Sequence, residues 1–184
     1  LQILMISVVI PTYKRPESLK KLLDSIFAQS ERPNEVIIID DLSTGSKSNI
    51  SSVLNDKRIE FINSRIEDID NLDDLFSSYD FCYHLAAGVG VQYIMDNLSN
   101  SLLTNILATH QVLEACQKNN VPILLTSTSE VYGVAEDEVW TEESKSLIGP
   151  TTKLRWSYAA SKMIDEIIAL SLFCLLYTSD AADD

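Results

Sequence analysis

The stretch "VIIIDDLSTG" (residues 36–45) decides the fold class of this chain. A run of β-branched residues that ends in acids and small polar residues is typical of a parallel strand buried on both faces. A second run of this kind, Ile6–Ile10, lies upstream. Between the two runs, Pro16 suits the first turn of a helix. Apolar residues then recur at helical spacing, at Leu19, Leu22, Leu23, Ile26 and Phe27.

The same alternation continues toward the C-terminus. Further strands are predicted at Ile59–Ile62, Phe81–Ala87 and Val121–Leu125, and long helices at about 93–118 and over Tyr158–Leu172. Strands that alternate with helices indicate a parallel sheet with helices on both faces. The predicted class is therefore α/β, with a Rossmann-like parallel sheet.

Composition limits the classes of partner. The chain of 184 residues has room for one ordinary domain, and its net charge of −13 argues against binding to nucleic acid or to an anionic membrane. Cys82, Cys116 and Cys174 are odd in number and unclustered, which predicts neither disulfides nor a zinc site. No basic segment precedes the early Pro11, and no run approaches the ~20 apolar residues of a membrane span. We therefore expect a cytoplasmic protein.

Three segments carry candidate chemistry: "HLAAGVGV" (84–91), "STSEVYG" (127–133) and "RWSYAASK" (155–162). Tyr158 and Lys162 are four residues apart, so they share one face of the predicted helix. An ammonium group there favours the phenolate and lowers a tyrosine pKa that is ordinarily near ~10, which makes Tyr158 a candidate general base. Thr128 follows the fifth strand, at the sheet edge where ligands bind, and is expected to hydrogen-bond the same substrate hydroxyl.

These segments resemble the extended short-chain dehydrogenase/reductases that act on nucleotide sugars, over about residues 40–172. The resemblance is carried by "DDLSTGS", "EDI", "HLAA", "LLTNILATHQVLEA", "TSEVYG" and "YAASK". It implies NAD as cofactor and a UDP-linked nucleotide sugar as substrate, which is oxidised at C4 to a 4-keto intermediate. It also implies a homodimer and a chain truncated at the C-terminus, without the sugar-binding region.

The resemblance assigns roles residue by residue. Catalysis falls to Thr128, Tyr158 and Lys162, and Lys162 also holds the nicotinamide ribose. Asp40 holds the adenosine ribose and Asp68 lies by the adenine. The full set implied to bind the cofactor is Asp40, Asp68, Leu85, Ala86, Ala87, Asn105, Tyr158 and Lys162.

The fate of the intermediate depends on the pair Ser129-Glu130. "TSE" followed by "GPTTKLRWSYAASK" is most similar to the UDP-glucuronate decarboxylases, although 4-epimerases and dehydratases carry related motifs. Decarboxylation, epimerisation and dehydration therefore all remain open. Glu130 is either an acid/base at the reacting carbon or a solvated residue after the strand.

One part of the family pattern is missing. In these enzymes the first strand leads into Gly-x-x-Gly-x-x-Gly, where the absence of Cβ atoms lets the backbone approach the pyrophosphate. This chain has "PTYK" at 11–14 and no glycine before Gly45. We therefore expect NAD to bind poorly or not at all, and the chain as written to be inactive.

The N-terminal segment has a second resemblance. "SVVIPTYKRPESLKKLLDSIFAQSERPNEVIIIDD" (7–41) is similar to the start of family-2 glycosyltransferases, with Lys14 where Asn is common. The alternative hypothesis is therefore a glycosyltransferase fragment that uses a UDP-sugar donor. "DID" (68–70) lies inside the dehydrogenase-like pattern, so no metal site is predicted. A folded but inert α/β domain is the third hypothesis.

The two resemblances predict a chimera of three segments. Residues 5–41 are glycosyltransferase-like, and residues 42–173 are a partial NAD-binding core. Residues 174–184, "CLLYTSDAADD", have no helical periodicity and resemble read-through of a sequencing adapter. A join near Asp41 is expected because both families have a buried strand that ends in acids there.

Overall fold

The computed structural model describes residues 6–9, 33–43, 45–87, 98–134 and 139–174, with single positions at 21, 24, 25 and 28. Its strands are β1 (Ile6–Val9), β2 (Val36–Ile39), β3 (Ile59–Ile62), β4 (Phe81–His84) and β5 (Ile123–Leu125). The α-helices within these ranges are α1 (Leu72–Phe76), α2 (Leu98–Lys118) and α3 (Ser157–Cys174). Short 3-10 helices cover Lys47–Asn49, Ile66–Asp68, Ser129–Tyr132 and Leu154–Trp156.

The five strands form one parallel sheet in the order β3-β2-β1-β4-β5. Ile6 of β1 lies opposite Val36 on one side and Phe81 on the other. The chain therefore leaves β1 toward one edge through β2 and β3, and then returns to β4 and β5 on the other side. This topology confirms the α/β class and the Rossmann-like parallel sheet.

Strand β2 lies at the centre of the core. All four of its side chains are buried, as expected of a parallel strand covered on both faces. Val36 and Ile38 pack with Ile50 and Val53, which follow the 3-10 turn after the strand. Partly buried side chains surround this cluster: Leu54, Ile59, Phe61, Phe81, Tyr83 and Leu85.

Several element ends differ from the predictions. Strand β4 ends at His84 rather than Ala87, and β5 begins at Ile123 rather than Val121. Val121 instead closes the end of α2, because its amide donates to Cys116 O at 2.8 Å. The predicted turn at 11–14, most of the helix predicted after Pro16, residues 88–97 and the tail at 175–184 lie outside the described residues.

The chain divides into two compact units. The first contains residues 1–87 and 111–125, and the second contains residues 88–110 and 126–184. The candidate residues that follow β2, β3 and β4 belong to the first unit. Asn105, Thr128, Glu130, Tyr158 and Lys162 belong to the second. None of the described helices has both the length and the apolar character needed to cross a membrane.

We predict that Ile38, which is 0 % exposed, sets the stability of the first unit. Ile38→Ala is expected to lower the free energy of unfolding by about 2–5 kcal/mol, and Ile38→Val by about 0.5–1.5 kcal/mol, because each leaves a cavity of different size. Urea denaturation measures both. Val139→Ala, at a position 76 % exposed, is the control and should stay within about 0.5 kcal/mol. Equal losses for the two Ile38 variants would contradict the assignment of this residue to a tightly packed core.

Candidate active site

In the first unit, candidate residues gather at the carboxyl edge of the sheet. Asp40 directly follows β2, Asp68 lies in the 3-10 turn after β3, and residues 85–87 follow β4. Because parallel strands end at the same edge, these three segments lie where α/β proteins bind ligands. Asp68 is exposed, whereas Asp40 and residues 85–87 are half-buried.

The backbone around Asp40 is fixed by a tight turn. Asp40 Oδ1 accepts a hydrogen bond from Leu42 N at 2.6 Å, and Asn63 Nδ2 donates to Asp40 O at 3.0 Å. Leu42 has φ 57°, an uncommon left-handed conformation for a leucine, and the aspartate turn compensates for it. The carboxylate is thereby held at the sheet edge, which fits an acceptor for the hydroxyl groups of a ribose.

In the second unit, Lys162 and Asp165 form a buried ion pair on α3. Lys162 Nζ lies 3.1 Å from Asp165 Oδ2, and the two side chains are 2 % and 0 % exposed. A buried ammonium requires such a partner, because the cost of removing an unpaired charge from water is large. Asp165 Oδ1 has no hydrogen-bond donor among the described residues.

Polar contacts connect α3 to α2 beside this pair. Asn105 Nδ2 donates to Ser161 Oγ at 3.4 Å, and Ser161 Oγ donates to Tyr158 O at 2.9 Å. Thr109 of α2 hydrogen-bonds to Asp165 and acts to lower the pKa of that carboxyl. Asn105, predicted to bind the cofactor, is buried and supports α3 in this structure; its cofactor role stays a prediction.

Burial raises the pKa of Asp165 above its ordinary value. The Lys162 ammonium and the hydrogen bonds from Lys162 and Thr109 oppose this effect, and the neighbouring Glu166 adds to it. The net direction is upward, so the cost of burial exceeds the stabilisation that the ion pair gives to the carboxylate.

The pKa of Tyr158 is raised, not lowered. Burial of the half-buried ring is the largest cause, followed by the negative charges of Glu130 and Asp165. The prediction that Lys162 lowers the pKa of Tyr158 is therefore wrong for this structure. The physical reason is that the Lys162 ammonium is paired with Asp165, which offsets its positive charge.

Thr128 and Glu130 form the turn that follows β5. Thr128 caps the 3-10 helix Ser129–Tyr132, because its Oγ1 accepts from Glu130 N at 3.3 Å. The hydroxyl accepts in this contact, so its own hydrogen can be donated to a ligand. Glu130 is exposed, and its negative charge adds to burial in raising the pKa of Tyr158; the two alternatives for this residue, acid/base or solvated, stay predictions.

Aromatic side chains and glycines shape the loop beyond this turn. The rings of Tyr132 and Trp140 stack with centroids 5.3 Å apart. Gly133 has φ 63° and packs so closely on Leu147 that a Cβ would overlap the Leu147 carbonyl. Gly149 lies equally close to the Trp156 ring. Both positions therefore require glycine, a constraint that the sequence motifs did not reveal.

The sequence analysis missed Asp165. The signal was available, since residues 158, 162 and 165 fall at i, i+4 and i+7 and form one stripe along α3. Ser127 Oγ also donates to Glu166 Oε1, which places a second acid of α3 against the segment after β5. Within the described ranges, no group of three or more His, Cys, Asp or Glu side chains is arranged to hold a metal ion.

Comparisons with known proteins identify the family. A family model described as GDP-mannose 4,6 dehydratase matches residues 27–173. UDP-N-acetyl-alpha-D-glucosaminuronate decarboxylase of Bacillus cytotoxicus is 34% identical over 140 residues, which cover 76% of this chain and 43% of the relative. UDP-glucuronic acid decarboxylase 6 of Arabidopsis thaliana is 37% identical over 112 residues, covering 61% of this chain and 31% of the relative.

Solved structures show the same fold. A dTDP-glucose 4,6-dehydratase double mutant from Streptomyces venezuelae, solved with NAD and DAU bound, is 26% identical with a TM-score of 0.75, covering 91% of this chain and 51% of that one. The UDP-N-acetylglucosamine 4-epimerase from Methanobrevibacter ruminantium has a TM-score of 0.73 at 24% identity, covering 93% of this chain and 51% of that one. This chain thus spans about half the length of the solved structures and less than half of the two curated relatives.

The family match begins at residue 27, inside the segment that resembles a glycosyltransferase. The matches support the dehydrogenase-like interpretation and do not support the glycosyltransferase alternative. The boundary predicted near Asp41 and the nature of the tail stay predictions. The chain belongs to the GDP-mannose 4,6-dehydratase family, the extended short-chain dehydrogenase/reductases of NAD-dependent nucleotide-sugar epimerase and dehydratase type.

Proposed function

We propose that this chain is the cofactor-binding and catalytic portion of an NAD-dependent enzyme that oxidises a nucleotide sugar at C4. One observation carries the proposal: Tyr158 and the buried Lys162 lie on one face of α3, and the Thr128–Glu130 turn after β5 places a charge that acts on Tyr158. This is the constellation expected for removal of a proton from a sugar hydroxyl at the ligand-binding edge of an α/β sheet.

Tyr158 and Thr128 have proposed roles in the oxidation at C4. Tyr158 exchanges the proton of the C4 hydroxyl, and Thr128 orients that hydroxyl through a hydrogen bond. With its raised pKa, Tyr158 is protonated at neutral pH and suited to return a proton to the C4 oxygen. Oxidation requires its phenolate, which burial and the charges of Glu130 and Asp165 disfavour in this structure. NAD, when bound, supplies the acceptor for the C4 hydride.

The first unit supplies the adenosine side of the cofactor site. Asp40 would accept hydrogen bonds from the ribose hydroxyls, Asp68 would lie beside the adenine, and residues 85–87 would line the dinucleotide. The fixed, half-buried Asp40 carboxylate fits this role. On the family resemblance, Tyr158 and Lys162 would hold the nicotinamide ribose.

We further propose a UDP-linked hexuronic acid as substrate. The support is the names of two relatives, a UDP-N-acetyl-glucosaminuronate and a UDP-glucuronic acid decarboxylase. Oxidation at C4 turns such a sugar into a β-keto acid, in which the C5–C6 bond breaks with release of CO2 and the electron pair enters the C4 carbonyl. A proton must then be added at C5. Glu130, exposed beside Tyr158, is the residue proposed to supply it.

The proposed compartment is the cytoplasm, supported by two free cysteines, Cys82 and Cys116, that lie buried side by side without a disulfide. The proposed assembly is a homodimer of this chain. Its support is a set of exposed apolar side chains on α2 and α3, at Leu103, Leu107, Ile164, Ile167, Leu170 and Phe173.

The test of function is a calorimetric NAD titration of the parent chain and of Pro11→Gly/Lys14→Gly/Glu17→Gly, which restores the Gly-x-x-Gly-x-x-Gly spacing after β1. We expect weak or undetectable binding by the parent and an affinity about tenfold or more higher in the glycine variant, since the backbone can then approach the pyrophosphate. The matched control is Pro11→Ala/Lys14→Ala/Glu17→Ala, which removes the same side chains and keeps each Cβ. Equal affinity of the alanine and glycine variants would contradict the requirement for glycine, and no binding by either would contradict an NAD site.

The dimer is tested by sedimentation velocity. Ile167→Glu places a charge on a position that is 60 % exposed, and the dimer dissociation constant is expected to rise by about tenfold or more, because that charge would be buried at the interface. Ser171→Glu adds the same charge at an exposed polar position of α3 and serves as the control. If the parent sediments as a monomer, or if both variants dissociate alike, these helices are not the dimer surface.

A further inference from the structure

We propose that Asp165 is a positioning residue of this site: its buried carboxylate holds the Lys162 ammonium and so determines how much of that positive charge reaches the Tyr158 hydroxyl. The inference rests on the proposed function and deepens it. Residues 158, 162 and 165 form one stripe of α3. In this stripe, the Asp165 carboxylate and the Tyr158 hydroxyl compete for the positive charge of Lys162.

Lys162 lies along α3 between two groups, Tyr158 and Asp165, whose ionised forms its positive charge can stabilise. Tyr158 lies four residues before it and Asp165 three residues after it, so both face the same stripe of α3. The structure shows which of them holds the ammonium, with Nζ 3.1 Å from Asp165 Oδ2 and both side chains almost completely buried. In such surroundings a charge is weakly screened, so a full counter-charge cancels most of the effect of the ammonium on its neighbours.

In addition to the larger effect of burial, both acids that act on Tyr158 raise its pKa. Tyr158 faces the carboxylate of Glu130 from the turn after β5 and the carboxylate of Asp165 from its own helix. Asp165 in turn faces Lys162, the Thr109 hydroxyl of α2 and the adjacent Glu166. Burial and these two carboxylates together disfavour the phenolate that oxidation requires.

Asp165 also has an incomplete set of partners. Its Oδ2 accepts from Lys162, but its Oδ1 finds no donor within the described part of the chain. A buried carboxylate with one oxygen lacking a donor depends strongly on its ion pair, here supported by the Thr109 hydrogen bond, so the lysine is held firmly. Replacing only the charge of Asp165, with its shape kept, releases the ammonium toward Tyr158.

The test is the titration of Tyr158, followed by NMR of 13Cζ-labelled tyrosine, with the signal assigned by its loss in Tyr158→Phe. In Asp165→Asn we expect the titration of Tyr158 to shift to lower pH, because a negative charge is removed and the Lys162 charge is no longer offset. Glu166→Gln is the matched control, since it removes the adjacent acid of α3 and should leave the Tyr158 titration near that of the parent. A Tyr158 titration in Asp165→Asn that is unchanged or moves to higher pH overturns the proposal.

Asp165→Asn leaves Lys162 buried without a counter-charge, and this variant can fail to fold for that reason. A second variant avoids the problem. Lys162→Met/Asp165→Asn removes both charges, and replacement of a buried ion pair by neutral side chains is often well tolerated. If Asp165 offsets Lys162, removal of the pair leaves the Tyr158 titration close to that of the parent. A clear shift of the double variant to higher pH would show that the Lys162 charge reached Tyr158 all along, and would overturn the proposal.

These titrations need neither cofactor nor substrate. Failure of the glycine variant to bind NAD would overturn the proposed function and leave the tyrosine titrations unaffected. Unchanged titrations in an NAD-binding protein would overturn the role of Asp165 alone.

Discussion

Parallel pairing on both sides of β1 is the constraint on which the first unit depends. β1 is hydrogen-bonded to β2 and to β4, and its register sets Ile6 against both Val36 and Phe81. Because all strands then point the same way, the segments that follow β2, β3 and β4 emerge at one edge. The position of Asp40 and of residues 85–87 at the same edge of the sheet, on either side of the line of β1, follows from this backbone geometry and needs no specific contact between their side chains.

The second unit depends on a different constraint, the burial of one lysine. A lysine in the interior is tolerated only with a counter-charge close by, and Asp165 supplies it from the next turn of α3. Asn105, Ser161 and Thr109 fix the two helices around the pair. Burial and the charge of Glu130 raise the pKa of Tyr158, and the carboxylate that allows the lysine to be buried adds to this rise. The Lys162–Asp165 pair therefore also affects the chemistry of the neighbouring tyrosine.

The sequence predicted the strands well because a buried parallel strand leaves a strong local signal. The strands predicted at 36–39 and 59–62 matched β2 and β3 to the residue. Helical spacing also placed Tyr158 and Lys162 on one face correctly. It did not predict which neighbour the ammonium takes, since Tyr158 and Asp165 are both one turn away. That choice depends on burial and on α2, which are tertiary properties.

In the predicted chimera, the foreign N-terminal segment affects the sheet and the cofactor site differently. Pairing of β1 with its neighbours uses backbone hydrogen bonds, so any short β-branched run can occupy this position. A pyrophosphate needs more than a strand, because it must approach bare backbone where glycines stand in the family pattern and where this chain has "PTYK". A strand–helix–strand of foreign origin can therefore complete the sheet and still remove the cofactor. Asp68 and the Tyr158–Lys162 stripe persist in such a chain because they lie beyond the join, whereas Asp40 lies inside the foreign segment, whose own family pattern also ends this strand in acids.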